Sequence, residues 1–76
     1  MSRVPVLSGK EIAKALESAG FVRVGQKGSH LKLERLRDDE KRTVIVPLHT
    51  EIAPGTLKSI MRQSGINLED FKSFFK

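Results

Sequence analysis

The chain contains no cysteine, tryptophan or tyrosine, and only four phenylalanines. Without cysteine, disulfide scaffolds, zinc knuckles and thiol nucleophiles are all excluded. No segment approaches the roughly 20 apolar residues that a membrane span requires, and the first twenty residues contain no apolar core of signal-peptide length. We therefore expect a cytoplasmic protein that uses no metal and no other cofactor.

A length of 76 residues allows one small domain, which we place across residues 1–76. Because so small a core is limited to about 3–5 kcal/mol of net stability, any active site must be shallow or shared with a partner. The net charge is +5, and residues 21–50 carry most of it, with seven basic and four acidic side chains. This excess suits an anionic partner such as nucleic acid or an acidic protein, although surplus lysines also serve solubility alone.

The first half of the chain predicts a helix followed by two strands. Ser8 and Glu11 have the spacing of a capping box, and the apolar residues that follow recur every three or four positions, so we expect a helix over about residues 9–19. A first strand over 21–24 and a glycine-containing turn over 25–28 come next. From His30 the chain alternates, so that Leu31, Leu33 and Arg35 share one face of a strand while His30, Lys32 and Glu34 share the other.

The second half predicts a third strand and two helices. A charged loop over 37–41 leads into a β-branched strand over 42–46. Pro54 suits the first turn of a helix that Gly65 ends, and Asn67 suits the cap of a short final helix. The predicted fold is therefore α+β, in the order α-β-β-β-α, with helices on one face of a three-stranded antiparallel sheet and an added C-terminal helix.

If the helices cover the Leu31 and Leu33 face, His30 stands on an open, cationic surface directly after a turn. RNA carries its own nucleophile, the 2′-hydroxyl, and an imidazole with a reference pKa of ~6.5 can remove its proton or protonate the leaving oxygen. His30 is therefore the candidate catalytic residue. The residues that we expect to contact RNA phosphates are Arg23, Lys27, Gly28, Ser29 and Lys32.

His49 has two interpretations. It follows the third strand closely enough to be a candidate second acid or base. It can equally be a hydrogen-bonded turn residue on the approach to the second long helix.

A series of short motifs resembles the HicA family of toxin mRNA interferases over about residues 8–75. The motifs occur in family order and are Gly20-Phe21, Gly28-Ser29-His30, Val44-Ile45-Val46-Pro47-Leu48-His49, Pro54-Gly55-Thr56-Leu57-Lys58-Ser59-Ile60 and Gly65-Ile66. The resemblance implies a fold similar to a double-stranded-RNA-binding domain (dsRBD-like). It also implies an endoribonuclease that cleaves mRNA, with the family's catalytic histidine at His30, and a HicB-like antitoxin that covers and neutralises the toxin.

Two other functions remain open. In the first, the chain is a non-catalytic RNA-binding module with the same fold, in which His30 only donates hydrogen bonds. In the second, Phe71, Phe74 and Phe75 form a docking helix for a protein partner, although an apolar face with this spacing is more often part of the core.

Overall fold

The computed structural model describes residues 6–74. Three helices and three strands follow one another in the predicted order. They are α1 (Gly9–Ser18), β1 (Val22–Lys27), β2 (His30–Arg37), β3 (Glu40–Pro47), α2 (Pro54–Ser64) and α3 (Leu68–Ser73). The α+β prediction is confirmed. No helix within the described range is long and apolar enough to cross a bilayer.

The helix ends follow the predicted capping residues. Ser8 accepts a hydrogen bond from the Glu11 backbone N–H, and the Glu11 carboxylate accepts one from the Ser8 N–H, which completes the capping box. Pro54 lies in the first turn of α2, and Gly65 ends that helix in the left-handed conformation. Asn67 caps α3 through its side-chain oxygen. Local sequence therefore determines where each helix begins and ends.

The strands form one antiparallel sheet in the order β1-β2-β3. Leu31 pairs with Val46 and Leu33 with Val44, and all four side chains are buried. His30 and Lys32 point to the opposite, exposed side, as the alternation predicts. The helices pack on the apolar face, and the face that carries His30 stays open.

The first hairpin turn is shorter than predicted. The expected turn over 25–28 belongs mostly to β1, which continues through Lys27 and pairs with β2 as far as His30. Only Gly28 and Ser29 connect the strands, with Gly28 at φ 59°, a pattern typical of a type II′ turn. The glycine at 25 instead follows an irregularity in the register of β1, where an extra residue bends the strand.

The charged loop over 37–41 is also shorter than predicted. Arg37 and Glu40 already pair as strand residues, so the turn consists of Asp38 and Asp39 alone. Both have positive φ angles, 51° and 64°, as a type I′ turn requires. The sequence did not predict this turn because two consecutive aspartates are not the Asn-Gly or Asp-Gly pair that is typical of it.

Arg35 on β2 contacts the C-terminal end of α1. Its guanidinium stacks 4.7 Å from the centroid of the Phe21 ring and donates a hydrogen bond to the Ala19 carbonyl at 3.2 Å. Burial, followed by repulsion from Arg37 and Arg42, lowers the pKa of Arg35. The arginine therefore lies on the helix-covered side, as its position in the alternation predicts.

The C-terminal phenylalanines belong to the core as far as the structure describes them. Phe71 is fully buried, and the partly buried Phe74 packs against the same cluster. Phe75 lies outside the described residues. The prediction of core packing is confirmed for Phe71, whose ring is covered within the chain itself, so the docking-helix interpretation fails there. Phe74 packs against the core but stays partly exposed.

Substituting Gly9 should destabilise the fold. The backbone of Gly9 is buried against Pro47 and Leu48, and a β-carbon there would overlap the Pro47 carbonyl oxygen. We expect Gly9→Ala to cost toward the upper end of ~1–3 kcal/mol. Gly55→Ala is the matched control, since a β-carbon at this α2 position meets open space and should gain up to about 1 kcal/mol. Urea unfolding followed by circular dichroism measures both, and equal stability of the two variants would contradict the expectation.

Shortening Phe71 should unfold most of the protein without any partner present. Removing a fully buried phenylalanine ring costs about 3–5 kcal/mol, which is comparable to the net stability of a domain this small. Phe71→Leu retains most of the apolar volume and should remain folded. Thermal unfolding of the isolated chain checks both variants. Unchanged stability of Phe71→Ala would show that the ring has no role in the core.

Candidate RNA interface and catalytic histidine

His30 is the first residue of β2 and follows directly after the Gly28-Ser29 turn. It pairs with Lys27 on β1 and with Pro47 on β3, so it occupies the central strand at one end of the sheet. Its side chain is exposed on the open face. Within residues 6–74, neither ring nitrogen has a hydrogen-bond partner. The imidazole is therefore accessible to a substrate that lies across the open face.

A shallow depression of about 260 Å³ surrounds His30 on this face. Three of the predicted site residues, Lys27, His30 and Lys32, line it together. Its other lining residues are Gly25, Gln26 and Ile45. The structure thus brings a titratable ring and two lysine side chains into one open site, which suits an extended anionic substrate better than a small molecule that needs enclosure.

The two lysines differ in how far their charges are already balanced. Lys27 has no ion-pair partner in the described part of the chain, whereas the Lys32 Nζ lies 3.8 Å from the Glu34 carboxylate. That carboxylate lies closer to Lys41, at 3.4 Å. Because one partly buried carboxylate is shared between two lysines, the area around His30 keeps excess positive charge for phosphates.

The Gly28-Ser29 turn is held from both sides. The Gln26 side-chain amide donates to the Gly28 carbonyl at 3.1 Å, and the Leu48 backbone N–H donates to the Ser29 carbonyl at 2.6 Å. Within residues 6–74 the N–H groups of Gly28 and Ser29 have no backbone acceptor besides the strand ladder. These two N–H groups can therefore donate to a phosphate oxygen beside His30.

Arg23 lies on the other face of the sheet. It pairs in register with the buried Leu33, and its Nε lies 3.1 Å from the Glu17 carboxylate on α1. Contrary to the prediction, Arg23 therefore does not lie with the other basic residues around His30. The physical reason is that side chains alternate between the two faces of a strand. Arg23 precedes the register irregularity in β1, so it shares the face of its partner Leu33.

His49 lies close to the same end of the sheet through its backbone. Its carbonyl accepts a hydrogen bond from the Gly9 N–H at 2.8 Å, and Leu48 beside it contacts Ser29. The turn interpretation placed His49 in a hydrogen-bonded turn on the approach to α2. The observed hydrogen bond joins it to the start of α1 instead. The ring is exposed and, in the described range, has no hydrogen-bond partner, so its role in proton transfer stays a prediction.

The structure adds two residues that the sequence did not single out. Gln26 was expected in a loop, yet it is a strand residue that both positions the turn and lines the depression. Ile45 is 40 % exposed and contributes apolar surface beside Lys32. Strict alternation along β1 would place Arg23 and Lys27 on the same face, but the register irregularity between Arg23 and Gly25 puts them on opposite faces. This irregularity is not visible in the residue pattern.

Comparison with known proteins places this chain among toxins. A search of curated proteins found no significant match. The family model of the HicA toxin of bacterial toxin-antitoxin systems matches residues 9–66, a segment that runs from α1 through the open sheet face and the whole of α2. This match spans well over half of the 76 residues and includes His30, its turn and Lys32, so the chain belongs to the HicA toxin family.

Proposed function

We propose that this toxin is an endoribonuclease of a type II toxin-antitoxin system, which cleaves mRNA by metal-independent acid-base catalysis and so inhibits translation. The observation that carries the proposal is the exposed His30, which lines one depression with Lys27 and Lys32 on the uncovered face of the sheet. A substrate with an internal nucleophile suits this arrangement because the protein has only to move protons and hold charge.

His30 acts in this proposal as a general base and then as a general acid. One ring nitrogen accepts the proton of the RNA 2′-hydroxyl while the 2′-oxygen forms a bond to the adjacent phosphorus. The bond from phosphorus to the 5′-oxygen breaks, and a proton passes to that oxygen from the imidazolium or from a second acid, for which His49 is the candidate. The products are a 2′,3′-cyclic phosphate and a free 5′-hydroxyl.

The surroundings of His30 stabilise the charge that develops on phosphorus. Lys27 and Lys32 supply ammonium groups at the depression, and the Gly28 and Ser29 N–H groups supply fixed dipoles. Donors that are already oriented stabilise a transition state without reorganising at the moment of reaction. In this proposal the His30 side chain transfers protons, while the two ammonium groups and the two N–H groups hold the phosphate.

A toxin of this family operates with an antitoxin, and we propose a HicB-like protein that covers the open face. Excess positive charge and the exposed Ile45 at the His30 depression suit a surface that is acidic with an apolar centre. Covering the depression would block RNA directly, so inhibition needs no conformational change. The site of action in this proposal is the cytoplasm, where mRNA is found.

Removing the imidazole should abolish cleavage while preserving the fold. We expect His30→Ala to lower the rate of cleavage of a single-stranded transcript by about 10²–10⁴-fold, the usual contribution of one positioned acid-base group. The wild-type chain should cleave the same transcript in EDTA. Gel analysis of end-labelled RNA measures the rates, and circular dichroism confirms that the variant is folded.

The same assay distinguishes the role of His49 from that of His30. It also tests the alternative function, a non-catalytic RNA-binding module. A loss in His49→Ala comparable to that in His30→Ala assigns His49 to proton transfer, and a loss of less than about tenfold assigns it to local structure. Intact RNA after incubation with wild-type chain would favour a non-catalytic RNA-binding module. Full activity of His30→Ala would exclude His30 as the catalytic residue.

A further inference from the structure

A second depression lies on the helix-covered side of the sheet, between α1 and β1. Its volume is about 490 Å³, larger than that of the depression around His30. We call it the α1–β1 groove, and the residues that line it are Lys10, Glu11, Lys14, Arg23, Gln26 and Leu48. The catalytic proposal uses only Gln26 and Leu48 of these residues, and both serve there to position the turn.

The groove combines an apolar floor with a basic rim. Its surface is mostly apolar, Leu48 is the one apolar residue in its lining, and Lys10 and Lys14 line it as well. These lysines are four residues apart on α1, so they share one side of the helix. Neither has an ion-pair partner within residues 6–74. A planar apolar group with an attached anion fits such a surface, and a nucleotide has this composition.

The acidic and basic groups of the groove other than these two lysines already have partners. Glu11 accepts the Ser8 N–H in the capping box at 2.9 Å, and the Arg23 charge is balanced by Glu17 at 3.1 Å. Both carboxylates are therefore held in place by local contacts. Glu11 keeps its negative charge, so with Arg23 balanced by Glu17, Lys10 and Lys14 leave the groove with a net positive charge of one.

The groove is continuous with the His30 site at the β1 edge of the sheet. Gln26 lines both depressions, and it neighbours Lys27, the register partner of His30. Leu48, on the floor of the groove, donates its N–H to Ser29 in the turn before His30. β1 is an edge strand, so a nucleic-acid strand can pass from one face to the other around it.

We propose that the α1–β1 groove is a subsite for a nucleotide that flanks the one cleaved at His30. Its base lies over Leu48, its phosphate lies between Lys10 and Lys14, and the Gln26 amide contacts the chain where it crosses β1. This subsite rests on the proposed ribonuclease function, and it extends the substrate from the single scissile linkage to a bound segment of single-stranded RNA.

The test begins with binding, measured without cleavage. The ¹⁵N-labelled full chain is titrated with a mixed-sequence heptamer of 2′-O-methyl RNA, which lacks the nucleophile and stays intact. We expect amide shifts at Lys14, Gln26 and Leu48 as well as around His30. The double variant Lys10→Gln/Lys14→Gln should bind at least about tenfold more weakly, and the slope of log affinity against log salt should fall by about 1.4, as expected for two lost phosphate contacts to a single strand.

The matched control is Lys58→Gln/Arg62→Gln. This pair also lies four residues apart on exposed helix positions, on α2, and its removal lowers the net charge by the same amount. We expect less than a threefold change in affinity for the control. Equal losses in the two double variants would mean that only net charge matters, which would overturn the subsite. Circular dichroism verifies that both variants are folded.

Cleavage separates failure of the subsite from failure of the catalytic proposal. With an unmodified heptamer, Lys10→Gln/Lys14→Gln should raise KM and leave kcat within twofold, and with a dinucleotide it should change neither. Shifts confined to Lys27, His30 and Lys32 would overturn the subsite and leave the ribonuclease proposal standing. Groove shifts without cleavage of any RNA would overturn catalysis alone. A hexaglutamate peptide that shifts the groove amides as strongly as RNA would overturn the assignment to a nucleotide.

Discussion

The burial of one face of β2 against the helices is the constraint on which the rest of the structure depends. Leu31 and Leu33, with their partners Val46 and Val44, lie in the core at no more than 3 % exposure, and burial of such side chains contributes about 1.5–3 kcal/mol each. Because side chains alternate along a strand, this burial also directs His30 and Lys32 to the open face. A register shift of one residue would bury the histidine and expose the leucines, so the stability of the core and the accessibility of the site have the same origin.

The end of the sheet at His30 is where otherwise separate parts of the chain meet. The Gly28-Ser29 turn is bonded to Gln26 on one side and to Leu48 on the other, and the Gly9 N–H at the start of α1 is bonded to the His49 carbonyl. The bond from Gln26 is local, whereas the bonds from Leu48 and Gly9 join segments remote in sequence. They give a chain of 76 residues a rigid support for its exposed imidazole without a deep pocket. The proposed ribonuclease mechanism needs no deeper site, because an RNA substrate brings its own nucleophile.

The helices and strands were predicted from the sequence more accurately than the turns that connect them. The capping box of α1, the Asn67 cap of α3, the α2 proline and the Gly65 stop act within a few residues. They can therefore be identified from local chemistry, and they place the helices correctly. Both hairpin turns were expected to be longer than they are. Glycine at 25 and the charges over 37–41 favour loops by composition, yet pairing across the sheet extends the strands through them until only two residues remain in each turn. Local propensity is weak compared with the hydrogen bonds that a neighbouring strand supplies.

The sequence by itself determined the fold class, the presence of a single histidine directly after a glycine turn, and the concentration of positive charge in the middle of the chain, because each of these depends on composition or short-range spacing. The tertiary structure decided which basic residues share the histidine's face. It brought Lys27 and Lys32 to His30, and it turned Arg23 toward Glu17 on α1. It also joined Gln26 and Leu48 into a groove beside the site. The physical reason is the irregular register of β1 together with the packing of α1, since both depend on contacts between residues that are distant in the sequence and cannot be read from either segment alone.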